Sequence, residues 1–416
     1  MSRSACRVHR LRPVVLALAL CGGGAWAETT PWYIGASQGF THQSNVFAST
    51  SNPQGDTISS TGILGGLDLE LGRQHLFANG TAQTNRYRNF DQLNNVSYGF
   101  TGGLNWQTIE RLSGNLRYEA NQSLANYADV QFPTTIRDVQ RTQAASAAVR
   151  YGITPRLGIE GSAAHRTVNF SAPEDTRGFR TNVASLGLRW GGTGLLTLGA
   201  GVRLTKNDFP SALIVAPVIP PPPVPPLPPA PILPGVYGPD KTDRRDIDFT
   251  GTWTPSGLSS VTGRISLTRE THTQPAIPKL SGVTGSLSWD YRPTGKIALN
   301  TMLTRDTGSE TTFFTGQVGQ FSPLRPDNDR VNTVLEVHAK YEATAKILVN
   351  GDVRHINGAI VNSLGGVGNI SADSIALGAN YAITRAIDFS CSLGYESRSH
   401  SYNATTVGCA GRITLR

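Results

Sequence analysis

Seven histidines lie beyond residue 27: His42, His75, His165, His272, His338, His355 and His400. Set beside a serine and a carboxylate, an imidazole acts as the base of a nucleophilic triad; set beside other His or Cys, it holds zinc. The spacing here supports neither. No HExxH puts two imidazoles on one helix face, and no GxSxG marks a nucleophile elbow. The "GGVG" at Gly365–Gly368 is loop glycine rather than a phosphate cradle. No metal or cofactor is expected, and the chain is not expected to be an enzyme. A triad assembled across distant strands, acting on polymer or lipid, is the competing reading from another class.

The elements that would carry such residues begin after a separate leader. Arg3, Arg7, Arg10 and Arg12 precede "VVLALAL" at Val14–Leu20, an apolar run too short to span a bilayer, and then "AWA" at Ala25–Ala27. This is the layout of a secretory signal, residues 1–27, cut between Ala27 and Glu28. Residues 28–416 would be the mature chain. Four of the 37 basic side chains lie in the leader, which lowers the net charge of the remainder from +8 to +4. That is too weak and dispersed for nucleic acid, so none is expected as a partner. No later stretch approaches 18 unbroken apolar residues, which excludes a transmembrane helix.

Composition points to a chain that faces two solvents. Hydrophobic residues are 38% and charged ones only 16%, with 45 Gly against 2 Met. Along the chain one short turn recurs behind an aromatic residue. "YGITPRLGIE" starts at Tyr151, "YRPTGKIALN" at Tyr291, "YEATAKILVN" at Tyr341 and "YAITRAIDFS" at Tyr381. Looser copies start at Trp106, Trp190 and Trp253. The steps between leaders are 45, 39, 63, 38, 50 and 40 residues. An eighth turn, "LGRQH" at Leu71–His75, lacks the aromatic.

The flanks alternate with period two. Leu112, Gly114, Leu116, Tyr118 and Ala120 oppose Ser113, Asn115, Arg117, Glu119 and Asn121; Val283, Gly285, Leu287, Trp289 and Tyr291 oppose Thr284, Ser286, Ser288 and Asp290. This is strand periodicity. Each step is one hairpin, so eight short turns join sixteen strands. A first strand near Trp32–Phe47 and a last near Thr405–Arg416 make eighteen. The pattern predicts an all-β, antiparallel transmembrane barrel of the outer-membrane type. Trp106, Tyr151, Trp190, Trp253, Tyr291, Tyr341 and Tyr381 would form an aromatic girdle at the periplasmic interface, because such rings prefer the water–lipid boundary. The 63-residue step holds a proline-rich insertion, residues 210–239, with thirteen prolines. It is expected as an extracellular loop, a low-complexity spacer or a recognition element.

Inward parity falls on Arg117, Glu119, Glu160, Arg166, Arg203, Arg264, Asp306, Asp352, Arg354, Asp388, Glu396 and Arg398, and on the amides Asn79, Gln83, Asn85 and Asn300. So many charges imply a water-filled or plugged interior. Cys391 and Cys409 share outward parity on the last two strands and lie equidistant from His400. In an antiparallel hairpin such residues face each other within disulfide reach, and the exported chain meets an oxidising compartment.

The stretches "PWYIGASQGFTHQSNVF", "DTISSTGILGGLDLELGRQHLFANG", "LNNVSYGFTGGLNWQTIERLSG" and the closing "GCAGRITLR" resemble the EpsL family. Those are outer-membrane proteins encoded with exopolysaccharide biosynthesis genes and related to a broader group of barrel porins. The resemblance implies a passive conduit in exopolysaccharide export, with the polymer, outer-membrane lipid and a periplasmic export protein of the same pathway as partners. It supplies no catalytic residue. The proline insertion and the terminal Arg416 depart from the family's pattern. A general diffusion porin for small solutes is the alternative.

Overall fold

The computed structural model describes residues 30–108, 110–127, 135–172, 177–191, 194–215, 236–275, 277, 279–306, 331–361, 367–399 and 402–416. The expected leader, with its expected Ala27–Glu28 cleavage site, and His400 lie outside the described residues. Eighteen strands follow in chain order: β1 (Trp32–Gln43), β2 (Asp56–Leu71), β3 (Gln74–Tyr87), β4 (Asn95–Gln107), β5 (Leu112–Leu124), β6 (Val139–Gly152), β7 (Leu157–Phe170), β8 (Phe179–Gly191), β9 (Leu196–Val215), β10 (Val236–Ser256), β11 (Ser259–His272), β12 (Leu280–Thr294), β13 (Ile297–Asp306), β14 (Asn332–Glu342), β15 (Ile347–Val361), β16 (Val367–Ala382), β17 (Ile387–Arg398) and β18 (Asn403–Leu415). Each pairs antiparallel with its sequence neighbours, and β1 also pairs with β18. The ring therefore closes and leaves no unpaired edge, which is the condition for a sheet to cross lipid.

The strands are staggered as tilted barrel strands must be. From Trp32, at the start of β1, cross-strand partners run through Leu67, Ala78, Gly102, Tyr118, Ala145, His165 and Asn182 to Lys206. Lys206 lies midway along the 20-residue β9, so one row of partners climbs about ten residues from the strand start while crossing nearly half the ring.

The repeated turn owes its form to one threonine. Thr154, Thr294, Thr344 and Thr384 each lie three residues after the leading tyrosine. Each hydroxyl accepts the backbone N–H groups two and three residues on, at 3.0–3.3 Å. This side-chain turn fixes the reversal locally. The aromatic-free turn uses Gly72 instead, at φ +64°, where a Cβ would be strained. Adjacent turns are also bonded to one another: Gly152 N donates to Arg111 O, Glu342 N to Lys296 O and Ala382 N to Lys346 O. The short turns thus gather at one end of the ring.

At the other end three hairpins use one device. Asp56 accepts the N–H groups of Asn89 and Phe90, Asp138 those of Ser171 and Ala172, and Asp240 those of Thr273 and Gln274. The separations are 33 and 34 residues in every case. A carboxyl group at the top of one strand thereby holds the start of the loop leaving the next.

Two boundaries differ from expectation. β1 stops at Gln43 because Val46 and Phe47 turn into a buried cluster with Tyr87, Leu93 and Tyr127. Burial there holds the Tyr127 phenol above its ordinary pKa. The proline-rich insertion is not wholly a loop. Pro210–Val215 belong to β9 and Val236–Pro239 to β10, leaving 216–235 outside the described residues. Proline removes a ladder donor, and the register shift between Gly238 and Asp240 falls where Pro210 and Pro239 interrupt the pairing.

Candidate functional site: the barrel lumen

Partners in register share a face, so the pairing sorts every strand residue to one side of the wall. One side carries an exposed apolar band: Ile34, Ile63, Leu116, Leu186, Val202, Phe249, Ile265, Leu377 and Ile413, each 49–66% exposed. That side faces lipid. The chain is an outer-membrane β-barrel, since an apolar exterior around a closed antiparallel ring is stable only in a bilayer.

All seven girdle residues fall on the lipid side, and Tyr151, Trp190, Trp253, Tyr341 and Tyr381 are 44–53% exposed. Trp289 stacks on Tyr291 at 5.2 Å between centroids, and its indole donates to Ser259. Cys391 and Cys409 also lie on this side, directly opposite each other, and form a disulfide with Cα atoms 4.1 Å apart.

All twelve charged residues expected in the lumen take the inner face, but they divide into two environments. The first spans β9 to β13. Arg203 reaches Asp248 at 3.2 Å and Asp246 at 3.4 Å; Arg264 reaches Asp248 at 3.4 Å. Arg244 donates to both oxygens of Asp246 at 3.0 Å and also binds Asp306. Ser266, Thr268 and Thr284 fill the gaps with hydroxyls. These groups are only 0–4% exposed. Arg203, Arg264 and Asp306 thus face inward without lining water. Burial is tolerated because each charge meets opposite charges and hydrogen-bond partners on neighbouring strands. Parity found their direction; the missed members, Arg244, Asp246 and Asp248, have the same parity in the sequence.

The second environment is wetter. Arg117 pairs with Glu119 at 2.5 Å, Glu160 with Arg150 at 2.5 Å and Arg189 at 3.4 Å, Arg354 with Glu336 at 2.9 Å, and Asp388 with Arg412 at 2.8 Å. Glu396 accepts from the Tyr402 hydroxyl, and Arg166 stands over the Phe179 ring. Four histidines bind a carboxylate: His75 with Asp68, His272 with Asp240, His338 with Asp352 and His355 with Asp373. The His272–Asp240 pair is buried, the last pair is on the outer face, and the four are spread round the ring. Among the described residues no group of three or more His, Cys, Asp or Glu is placed to hold a metal.

Between β3 and β8 the inner wall forms a recess of about 320 Å³ lined by His75, Asn105, Asn115, Arg150, Glu160 and Ser162 among others. Above it a short row of amides, Gln83, Asn85 and Asn95, is hydrogen-bonded together, with Asn79 separate on the same strand. Asn85 donates to Asn95 at 3.0 Å and to Ser97 at 2.9 Å, Ser60 donates to Asn85, and Tyr33 donates to Asn79. Inward aromatics are otherwise concentrated at the long-loop end. Phe179 and Phe209 are buried beside Phe170, and Tyr87 lies in the cluster around Leu93.

No protein-family model matches the chain, and no curated protein matches it in sequence. Among solved structures it is similar to the outer membrane protein OpdK from Pseudomonas aeruginosa, at 10% identity and a TM-score of 0.43, over 92% of this chain and 98% of that one. It is also similar to Pseudomonas aeruginosa OccK2 (OpdF) in complex with glucuronate, at 10% identity and 0.43, over 93% and 96%. A third is the siderophore receptor PiuA from Acinetobacter baumannii, at 9% and 0.44, over 93% and 82%.

Proposed function

We propose that this barrel is a passive channel through which small polar solutes diffuse across the outer membrane. The observation that carries the reading is the inner wall. It is polar round the ring, its charges are held by neighbours, and its described aromatics gather near the ends instead of forming a continuous platform for a chain of sugars. Ionised and amide groups fixed in this way solvate a passing polar molecule without reacting with it. The short turns are periplasmic and the long connections extracellular. Reconstitution tests this. Purified barrel in planar bilayers should give stable ohmic current, and proteoliposome swelling should slow steadily from mono- to trisaccharides. Closed membranes under both assays would reject the channel.

A second reading, a conduit for exopolysaccharide, is favoured by the amide row around Asn85 and by the resemblance to the EpsL family. It brings the polymer and a periplasmic export protein as partners. Deletion of the gene separates the two. A conduit predicts periplasmic polymer accumulating as extracellular polymer falls, whereas a diffusion channel leaves both unchanged.

A further inference from the structure

The outer face has a basic sector that neither the lumen nor the girdle uses. On β9, β10, β11 and β13 the apolar band ends at Leu204, Ile247, Leu267 and Leu303, each 42–51% exposed. Two residues further toward the long-loop end, on the same face, stand Lys206, Arg245, Arg269 and Arg305, all exposed. Two strand residues span about 7 Å, the step from the edge of the acyl region into the head groups. Elsewhere at this rim the outward positions include Thr333, His355, Asp373, Ser397 and Thr405. Outward basic residues also stand at this rim at Arg86, Arg141 and Arg180, but these face Ser59, Gln122 and Asp208 across the ladder; among the described residues of this rim, two basic residues face each other only within the arc.

Within the arc Arg245 and Arg269 are direct cross-strand partners. Like charges placed opposite each other weaken a sheet. Among the described residues neither has an acidic partner, while nearby Lys206 lies 3.7 Å from Asp243. Two guanidinium groups carried on facing backbone positions can together take the oxygens of one phosphate group, which would convert their repulsion into charge-assisted hydrogen bonds.

We infer that Arg245 and Arg269, flanked by Lys206 and Arg305, form a binding site on the barrel's outer wall for the phosphate of an acylated glycolipid in the outer leaflet. The acyl chains lie along Leu204, Ile247, Phe249, Ile265 and Leu267, and the phosphate sits between the two guanidinium groups. The site belongs to the lipid-facing surface and is independent of what passes through the lumen. It does rest on the long loops being extracellular.

The test uses the full-length folded barrel in a neutral detergent, with bound lipid counted by native mass spectrometry. The probes are bisphosphorylated lipid A, its fully dephosphorylated form, and inorganic phosphate as competitor. Lipid A should be retained by the wild type. Arg245→Gln with Arg269→Gln should weaken retention about 25-fold, from about fivefold per cation near a head group. Arg245→Lys with Arg269→Lys should retain most of it, and Arg86→Gln, outward on β3 away from the arc, should change nothing. The dephosphorylated lipid should bind the wild type no better than lipid A binds the Gln variant, a comparison that needs no mutant to fold. Equal binding of both lipids, or of wild type and Gln variant, overturns the site. Displacement of lipid A by millimolar inorganic phosphate overturns the lipid as its occupant. Orientation is read separately, by the protease accessibility described below.

Discussion

Replacing Arg244 with methionine removes the guanidinium that joins β10 to β13. The side chain is 1% exposed, as are or nearly are its partners Asp246 and Asp306. It makes two 3.0 Å bonds from Nε to Asp246, reaches Thr284 at 3.2 Å, and binds Asp306 on a strand 62 residues away. Methionine fills much of the volume but takes one counter-charge from each of two buried carboxylates, Asp246 keeping only Arg203, at 3.4 Å, as an ion-pair partner among the described residues, which costs about 3–5 kcal/mol. Arg412→Met is the matched control. That side chain is 51% exposed beside an Asp388 that is 26% exposed, and an open pair of this kind contributes at most about 1 kcal/mol. Guanidinium titration of barrel refolded into phosphatidylcholine vesicles, followed by tryptophan fluorescence, should therefore show a loss at least three times larger for Arg244→Met. The triple variant Arg244→Met, Asp246→Leu, Asp306→Leu should recover more than half of that loss, because an apolar replacement of the whole set leaves fewer stranded charges. Equal losses for Arg244→Met and Arg412→Met would refute the reasoning. A triple variant as unstable as the single one would show that packing, rather than uncompensated charge, sets the cost.

Trp289→Asp should impair assembly by on the order of 1 kcal/mol or more, while the inward Ser288→Asp should be tolerated; heat-modifiable gel mobility reads both, and equal damage would invert the face assignment. Non-reducing peptide mapping should find Cys391 joined to Cys409, and loss of the bond by a Cys→Ser pair should destabilise the closing hairpin by about 3 kcal/mol in the same titration. Alkylation of both cysteines in denaturant without reductant would disprove the pairing. A protease site inserted at Gly295 should stay uncut on intact cells and one at Asn52 should be cut; the reverse pattern would turn the barrel over. Asp138→Ala should release the Ser171–Ala172 backbone, at a cost of about 1–3 kcal/mol, and raise amide exchange there; unchanged exchange would mean the clamp carries no load.

Much of the architecture was legible because its causes are local. Period-two alternation in stretches such as Val283–Tyr291 sets the face of every side chain whatever the rest of the chain does. The tyrosine–x–x–threonine turn writes its own reversal, so strand number and girdle could be read directly. Cys391 and Cys409 were placed opposite each other by equidistance from one loop centre. The threonine's role, and the 33- and 34-residue spacing of Asp56, Asp138 and Asp240 from the loops they hold, were present in the sequence but recognisable only once the hydrogen bonds were known. The lumen was different. Arg117, Arg203 and Arg244 alternate alike along their strands, yet Arg117 is partly exposed and the other two are 1% exposed. Direction is a property of one strand, but dryness and ion pairing depend on what neighbouring strands bring alongside. The stagger of the closed ring, which sets Arg244 against Asp306, is fixed only when all eighteen strands have found their register.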